Sequence, residues 1–242
     1  MHIIRTLAFN IVFFTFGLFW SLALLWILVL PRPIINKIIQ NTYFRSINWA
    51  ERYILGLKCK VEGLENLPKS GGYVLAAKHQ SAFETLKFPF LFDQTAIVLK
   101  RELTWIPLWG WYPRRMGMIP IDRGSARVAL KSITDGAKRV VDSEQRPLII
   151  FPQGTRVAPE DKKPYKTGIA HVYKAVNGPV IPVALNSGLY WGKNSFWKKP
   201  GTVTLKFLPP IPAGLEVHDF MLRLEDVLER ESDALAANPE RE

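Results

Sequence analysis

The chain has 242 residues, with 32 Lys and Arg against 21 Asp and Glu, for a formal charge of +11. It is 48% hydrophobic, enough for one sizeable core, and its single cysteine, Cys59, excludes a disulfide framework and a cysteine zinc cluster. The excess of cations points to an anionic partner: nucleic acid, an anionic membrane surface or a phosphorylated substrate.

The first element separates these. From Thr6 to Leu30, "TLAFNIVFFTFGLFWSLALLWILVL", no residue is charged, and the run exceeds the roughly 20 apolar residues that cross a bilayer. A cleaved signal peptide has a shorter apolar core, about 7–15 residues, that ends at small residues. This run ends in "LPRP". It reads as a retained membrane helix, with a cleaved signal and a buried soluble helix as the alternatives. Arg5 precedes it, and Arg32, Lys37, Arg45 and Arg52 follow. A spanning helix would therefore leave the rest of the chain on the cytoplasmic face of the cell (inner) membrane. After "PRP", "IINKIIQNTYFRSINWAERYILGL" has apolar residues at helical spacing. It is either an interfacial amphipathic helix folded back under the first or a linker helix packed on the body. Residues 1–56 are thus expected to form an N-terminal membrane segment of one membrane helix plus an amphipathic helix, and 57–242 a separate folded domain.

Beyond Lys58, short apolar runs alternate with helical stretches. Strands are predicted at 73–78, 95–100, 117–122, 147–151, 180–185 and 202–207, each bounded by Gly, Pro or charge. Helices are predicted at 82–92, 125–142, 167–176 and 218–237. This alternation predicts an α/β fold, a mixed sheet flanked by helices, behind the N-terminal membrane-embedded helical segment. Two stretches, 105–115 and 189–199, mix aromatics with cations. They suit membrane docking, though aromatics of this kind also serve as core. Nucleic acid is not an expected partner, because it leaves Thr6–Leu30 unexplained and the cations do not gather on one predicted helix.

Polar residues cluster at predicted strand ends, where open α/β sheets bind ligands. His79, in "KHQSAFET", follows the first of these strands, with Glu84 five residues on. Lys100 ends the second, and Asp122 and Arg123 follow the third. "PQGTR" follows "LIIF", so Gln153, Gly154, Thr155 and Arg156 form a tight turn of backbone donors beside a guanidinium, a plausible phosphate or carboxylate cradle. Each of these residues alone also has an ordinary structural reading. Ser81 adjoins His79 without a "GxSxG" elbow and reads as a helix cap, not a nucleophile.

Together and in this order the blocks "KHQSAFE", "IPIDRG", "FPQGTR" and "VIPVAL" resemble the membrane glycerolipid acyltransferases, specifically the 1-acyl-sn-glycerol-3-phosphate acyltransferases. The resemblance runs from about Leu57 to Leu208. It departs at Glu84, where the family mostly has Asp, and at Gln153, where it mostly has Glu. The resemblance implies transfer of a fatty acyl group from acyl-CoA or acyl carrier protein to the hydroxyl of a lysophospholipid. The acceptor would be 1-acyl-sn-glycerol-3-phosphate, with another lysolipid such as lyso-ornithine lipid as the alternative. It implies His79 as general base, Glu84 as its orienting carboxylate, and Arg123 and Arg156 as phosphate ligands, with Lys100, the cation at the end of a strand, as a further candidate. No metal and no cofactor beyond the thioester co-substrate is expected.

Overall fold

Seven short runs of aliphatic and β-branched residues pair into one sheet. They are β1 (Leu57–Glu62), β2 (Tyr73–Ala77), β3 (Ala96–Lys100), β4 (Ile119–Ile121), β5 (Pro147–Ile150), β6 (Val180–Leu185) and β7 (Gly201–Phe207). Their spatial order is β1-β7-β6-β2-β5-β3-β4. All neighbours run parallel except β6 and β7, which are antiparallel. The structure, a computed structural model, describes residues 2–122 and 124–240. The α/β class and mixed sheet are as expected, and six of the strands lie where the sequence places them. The strand absent from that reading is β1. In "LKCKVE" every apolar residue alternates with a charged one, the pattern of an edge strand with one face in water.

Period-two alternation gives the sheet two buried faces. Val74, Ala76, Leu148 and Ile150 pack against helices α6 (Ala126–Ala137), α7 (Gly168–Ala175) and α8 (Val217–Ala237). Leu75, Ala77, Ile149, Ile181, Val183 and Leu205 face the other way. That second face is covered by α1 (His2–Ala23), α2 (Arg32–Ile39), α3 (Arg45–Ala50) and α4 (Phe83–Leu91), with Tyr112 of the short α5 (Trp111–Arg115).

Helix α1 is long and apolar enough to cross a membrane. It is also bonded to the body near both ends. Thr6 Oγ1 donates to the Lys198 carbonyl (3.0 Å), Lys198 Nζ donates to Asn10 Oδ1 (2.7 Å), and Tyr112 Oη donates to the Ser21 carbonyl (2.8 Å). Between them Phe9 meets Trp191 edge-on at 5.4 Å. Burial pushes the Lys198 ammonium down to about 8. The opposite face leaves Ile4, Ile11, Phe14, Leu18 and Leu22 exposed.

The amphipathic stretch is helical from Arg32 to Leu55, with π-helical turns at Gln40–Phe44 and Glu51–Leu55. Its buried stripe runs Ile35, Ile39, Phe44, Ile47, Ala50 and Leu55, and the five-residue step from Ile39 to Phe44 falls in the first wide turn. The turn re-phases the stripe so that it stays on the body. A buried ion pair fastens it there: Lys87 of α4 reaches Glu51 Oε2 and Asn48 Oδ1, both at 2.6 Å. Of the two readings of this stretch, packing on the body describes the inner face. Ile34, Trp49 and Tyr53 remain exposed on the outer one.

The hairpin between α1 and α2 is tied down by Glu144, which takes Arg32, Arg139 and Arg146. Partial burial works against ionisation, but hydrogen bonds from Arg32 and Arg146 outweigh it and hold the Glu144 carboxyl down to about 2, against an ordinary 4.5. A folded value below the unfolded one contributes stability above pH about 4.5 that is lost as pH falls toward about 2. Glu144→Gln should therefore lower stability at pH 7 by on the order of 2 kcal/mol and flatten the acid limb of the melting curve between those values. Thermal melts across pH 2–7 check this.

Candidate active site

Parallel strands deliver their C-terminal ends to one edge of the sheet. Here β6, β2 and β5 are neighbours, with Ala77 opposite Val183 and Ala76 opposite Ile150. The residues that follow them therefore meet: Ser187 after β6, His79 after β2, and the 152–156 turn after β5. Lys100 ends β3, the next strand outward.

Glu84 sits in the first turn of α4 and is wholly buried. Its Oε1 accepts from the Gln80 and Ser81 backbone N–H groups, both at 2.7 Å, and lies 2.8 Å from His79 Nδ1. Its Oε2 accepts from Ser187 Oγ at 2.8 Å. A first-turn glutamate reaching back to preceding amides is the arrangement of a capping box, and the helix N-terminus favours its negative charge. The three other partners are donors, so Nδ1 carries the imidazole proton and Nε2 is left with its lone pair. The His79 ring stacks on Phe151 at 4.0 Å and 17°, which fixes its plane. Ser81 Oγ accepts from the Phe83 N–H at 3.1 Å, as a residue at a helix start does.

Phe151-Pro152-Gln153-Gly154 is a tight turn closed by Gly154 N–H to the Phe151 carbonyl at 2.9 Å. Proline suits its second position, and glycine suits its fourth, where Gly154 is left-handed at φ +68°. Gln153 is buried, and its Oε1 accepts from the His79 backbone N–H at 3.2 Å. Its Nε2 has no partner among the described residues. The His79 carbonyl in turn accepts from Val157 N–H at 2.7 Å, so the two motif loops are bonded directly. Among the described residues the Thr155 and Arg156 N–H groups have no protein acceptor.

On the other side of β2, Lys78 is buried and donates to Glu229 Oε1 of α8 at 2.6 Å. Tyr165, on the segment after the turn, donates to the same oxygen at 2.8 Å. The C-terminal helix thus holds both motif loops from behind.

His79 opens onto a cavity of about 1450 Å³. Its lining is largely hydrocarbon, including Phe13 and Gly17 of α1, Leu24 just beyond that helix, Phe44, Tyr112 and Met116. Among the described residues it also carries the cations Lys100, Arg127, Arg156, Lys163 and Lys166.

The structure brings His79, Glu84, Gln153, Gly154, Thr155, Arg156 and Lys100 to this one edge, all but the buried Glu84 lining the cavity. Arg123 lies outside the described residues. Sequence reasoning missed Ser187, Phe151 and Glu229, which reach the site through tertiary contact. It also missed Arg127, Lys163 and Lys166, although "DKKPYK" beside "FPQGTR" was a visible basic signal. Of the aromatic stretches, Tyr112 and Trp191 are core, whereas Trp105, Trp111, Phe196 and Trp197 are exposed.

Residues 58–186 match the family model described as Acyltransferase. The chain is 30% identical to the 1-acyl-sn-glycerol-3-phosphate acyltransferase of Pseudomonas aeruginosa, over 87% of this chain and 81% of that one. It is also 30% identical to the protein of that name from Limnanthes douglasii, over 86% and 75%. The crystal structure of the 1-acyl-sn-glycerophosphate (LPA) acyltransferase from Thermotoga maritima superposes over 100% of both chains with a TM-score of 0.79 at 25% identity.

The Glu84 contact sets the imidazole tautomer. Nitrogen NMR of the histidine-labelled protein should show neutral His79 protonated on Nδ1. Glu84→Leu should release the ring to the Nε2–H form. An Nε2–H tautomer in the unmodified protein contradicts the geometry.

Proposed function

Because this chain belongs to the acyltransferase family that includes the lysophosphatidic acid acyltransferases, we propose that it moves an acyl group from a thioester to the sn-2 hydroxyl of 1-acyl-sn-glycerol-3-phosphate, forming phosphatidic acid. The observation that carries this reading is a histidine held by a buried carboxylate, in one cavity whose lining combines hydrocarbon with five cations among the described residues. A lysolipid with a phosphate monoester has the matching combination of hydrocarbon and charge.

A hydroxyl is a poor nucleophile at neutral pH, and a placed base contributes about 10²–10⁴-fold. His79 Nε2 takes the proton as the acceptor oxygen attacks the thioester carbonyl. Glu84 holds the ring and stabilises the imidazolium that forms. The Thr155 and Arg156 N–H groups are placed to meet a tetrahedral oxyanion, which preorganised donors stabilise without reorganisation. Collapse expels the thiolate, which recovers the proton from His79. The attacking oxygen belongs to the substrate, so no acyl-enzyme forms. Arg156, Lys100 and Arg123 hold the acceptor phosphate, Arg156 with the fork geometry that a phosphate matches. Gln153 and Gly154 shape the turn that presents these groups.

The lipid chains lie against the hydrocarbon lining, part of which is α1. With α1 lying along the body, its exposed apolar face and Trp26, Trp49 and Tyr53 enter one leaflet. The charge of +11 favours an anionic leaflet, and a cytoplasmic face would give access to the thioester donor.

Purified protein in detergent, given labelled acyl-CoA or acyl carrier protein thioester and lysophosphatidic acid, should form phosphatidic acid. His79→Ala should lose at least about 10³-fold while melting like the parent. Turnover of lyso-ornithine lipid with none of lysophosphatidic acid would replace the acceptor. Full activity in the variant would remove His79 from the mechanism.

A further inference from the structure

The cavity holds more positive charge than one lysolipid phosphate uses. Among the described residues five Lys or Arg line it, and none of the lining residues is Asp or Glu. Lys100 is paired with Glu102 at 3.1 Å. Among the described residues, Arg127, Arg156, Lys163 and Lys166 have no carboxylate partner. Helices α6 and α7 also begin here, with Ala126 and Gly168 in the lining, so two positive dipole ends add to the field. A phosphate monoester carries about −1.5 to −2. In the reading above Arg156, Lys100 and Arg123 serve that phosphate, which leaves Arg127, Lys163 and Lys166 for a second anion.

The proposed reaction has a second anionic reactant. Acyl thioesters are delivered on a phosphopantetheine arm, and both coenzyme A and acyl carrier protein carry a phosphate on it. Resting on the acyl-transfer reading above, we propose that Lys163 and Lys166, with Arg127, bind the phosphate of the donor's phosphopantetheine arm, a subsite separate from that of the lysolipid phosphate.

Two features place the donor on the lysine side. Lys163 and Lys166 are solvent-exposed, as a water-borne donor requires. The lining also has hydrocarbon from α1 and from Leu103, Ile106 and Leu108, with Trp105 and Trp111 exposed on the same segment, and the lysolipid chain is assigned to it. Lys166 is also built onto the reactive turn. Its N–H donates to the Pro152 carbonyl at 2.8 Å, and a methyl on Gly154 would lie 3.4 Å from its Cγ. A phosphate held at Lys166 therefore leads its pantetheine arm past the 152–156 turn toward His79.

The test is the Lys163→Ala/Lys166→Ala variant of the full chain, checked by its melting temperature. The KM for acyl-CoA should rise about tenfold or more, with the KM for lysophosphatidic acid changed less than about twofold. The same defect should appear with S-acyl phosphopantetheine and vanish with S-acyl pantetheine, which has no phosphate. A defect with acyl-CoA alone would assign the lysines to the nucleotide phosphates, and one with acyl carrier protein alone to the carrier's surface. Either result overturns the proposal, as does a rise in the lysophosphatidic acid KM instead. Calorimetric titration of 4′-phosphopantetheine and pantetheine into both proteins reads the subsite without turnover. Weaker phosphopantetheine binding in the variant, with pantetheine unchanged, supports the subsite even if lysophosphatidic acid is not the acceptor. Equal phosphopantetheine binding in the two proteins rejects it.

Discussion

The four contacts of one buried carboxylate organise the site. Glu84 has no water to solvate it, so its charge requires donors from the protein. It receives two from the backbone that precedes α4, one from Ser187 after β6, and one from His79. The same contacts that satisfy the charge fix the loop, join it to the neighbouring strand, and choose which imidazole nitrogen faces the cavity. From the first turn of α4, which starts at Phe83, the glutamate folds its carboxylate back over the Gln80 and Ser81 amides.

The sheet makes this convergence inevitable. Once β6, β2 and β5 lie side by side and parallel, whatever follows them shares an edge. Order along the strands then becomes order in space, with Ser187, His79, the 152–156 turn and Lys100 in sequence across it. The second layer of support is less local. Lys78 and Tyr165 both bond Glu229, so the C-terminal helix fastens the histidine loop and the segment after the turn together. A buried charge pair of this kind adds little net stability, and its value here is geometric.

Much of this was legible from sequence because it is short-range. The run "KHQSAFE" contains the histidine, the carboxylate it meets and the helix start, and "FPQGT" contains its own turn chemistry. Strand positions followed from β-branched runs bounded by Gly and Pro. The remainder depends on partners far along the chain. Ser187 is more than a hundred residues from Glu84. Edge strand β1 shows alternation without enough apolar weight to stand out among cations. Thr6 and Asn10 look incidental within an apolar run, yet they and Ser21 are where α1 is bonded to the body. Length and hydropathy suggested a membrane helix. Its hydrogen bonds to the body, which the sequence did not reveal, make it a wall of the cavity as well.

The central claim is that Glu84 acts through His79. A double-mutant cycle of acyl-transfer rates for the parent, Glu84→Gln, His79→Ala and the combined variant tests it most directly. If Glu84 works only by positioning the imidazole, its replacement costs rate in the parent and almost nothing once His79 is gone. Losses that multiply in the combined variant would contradict the account and give Glu84 a role of its own.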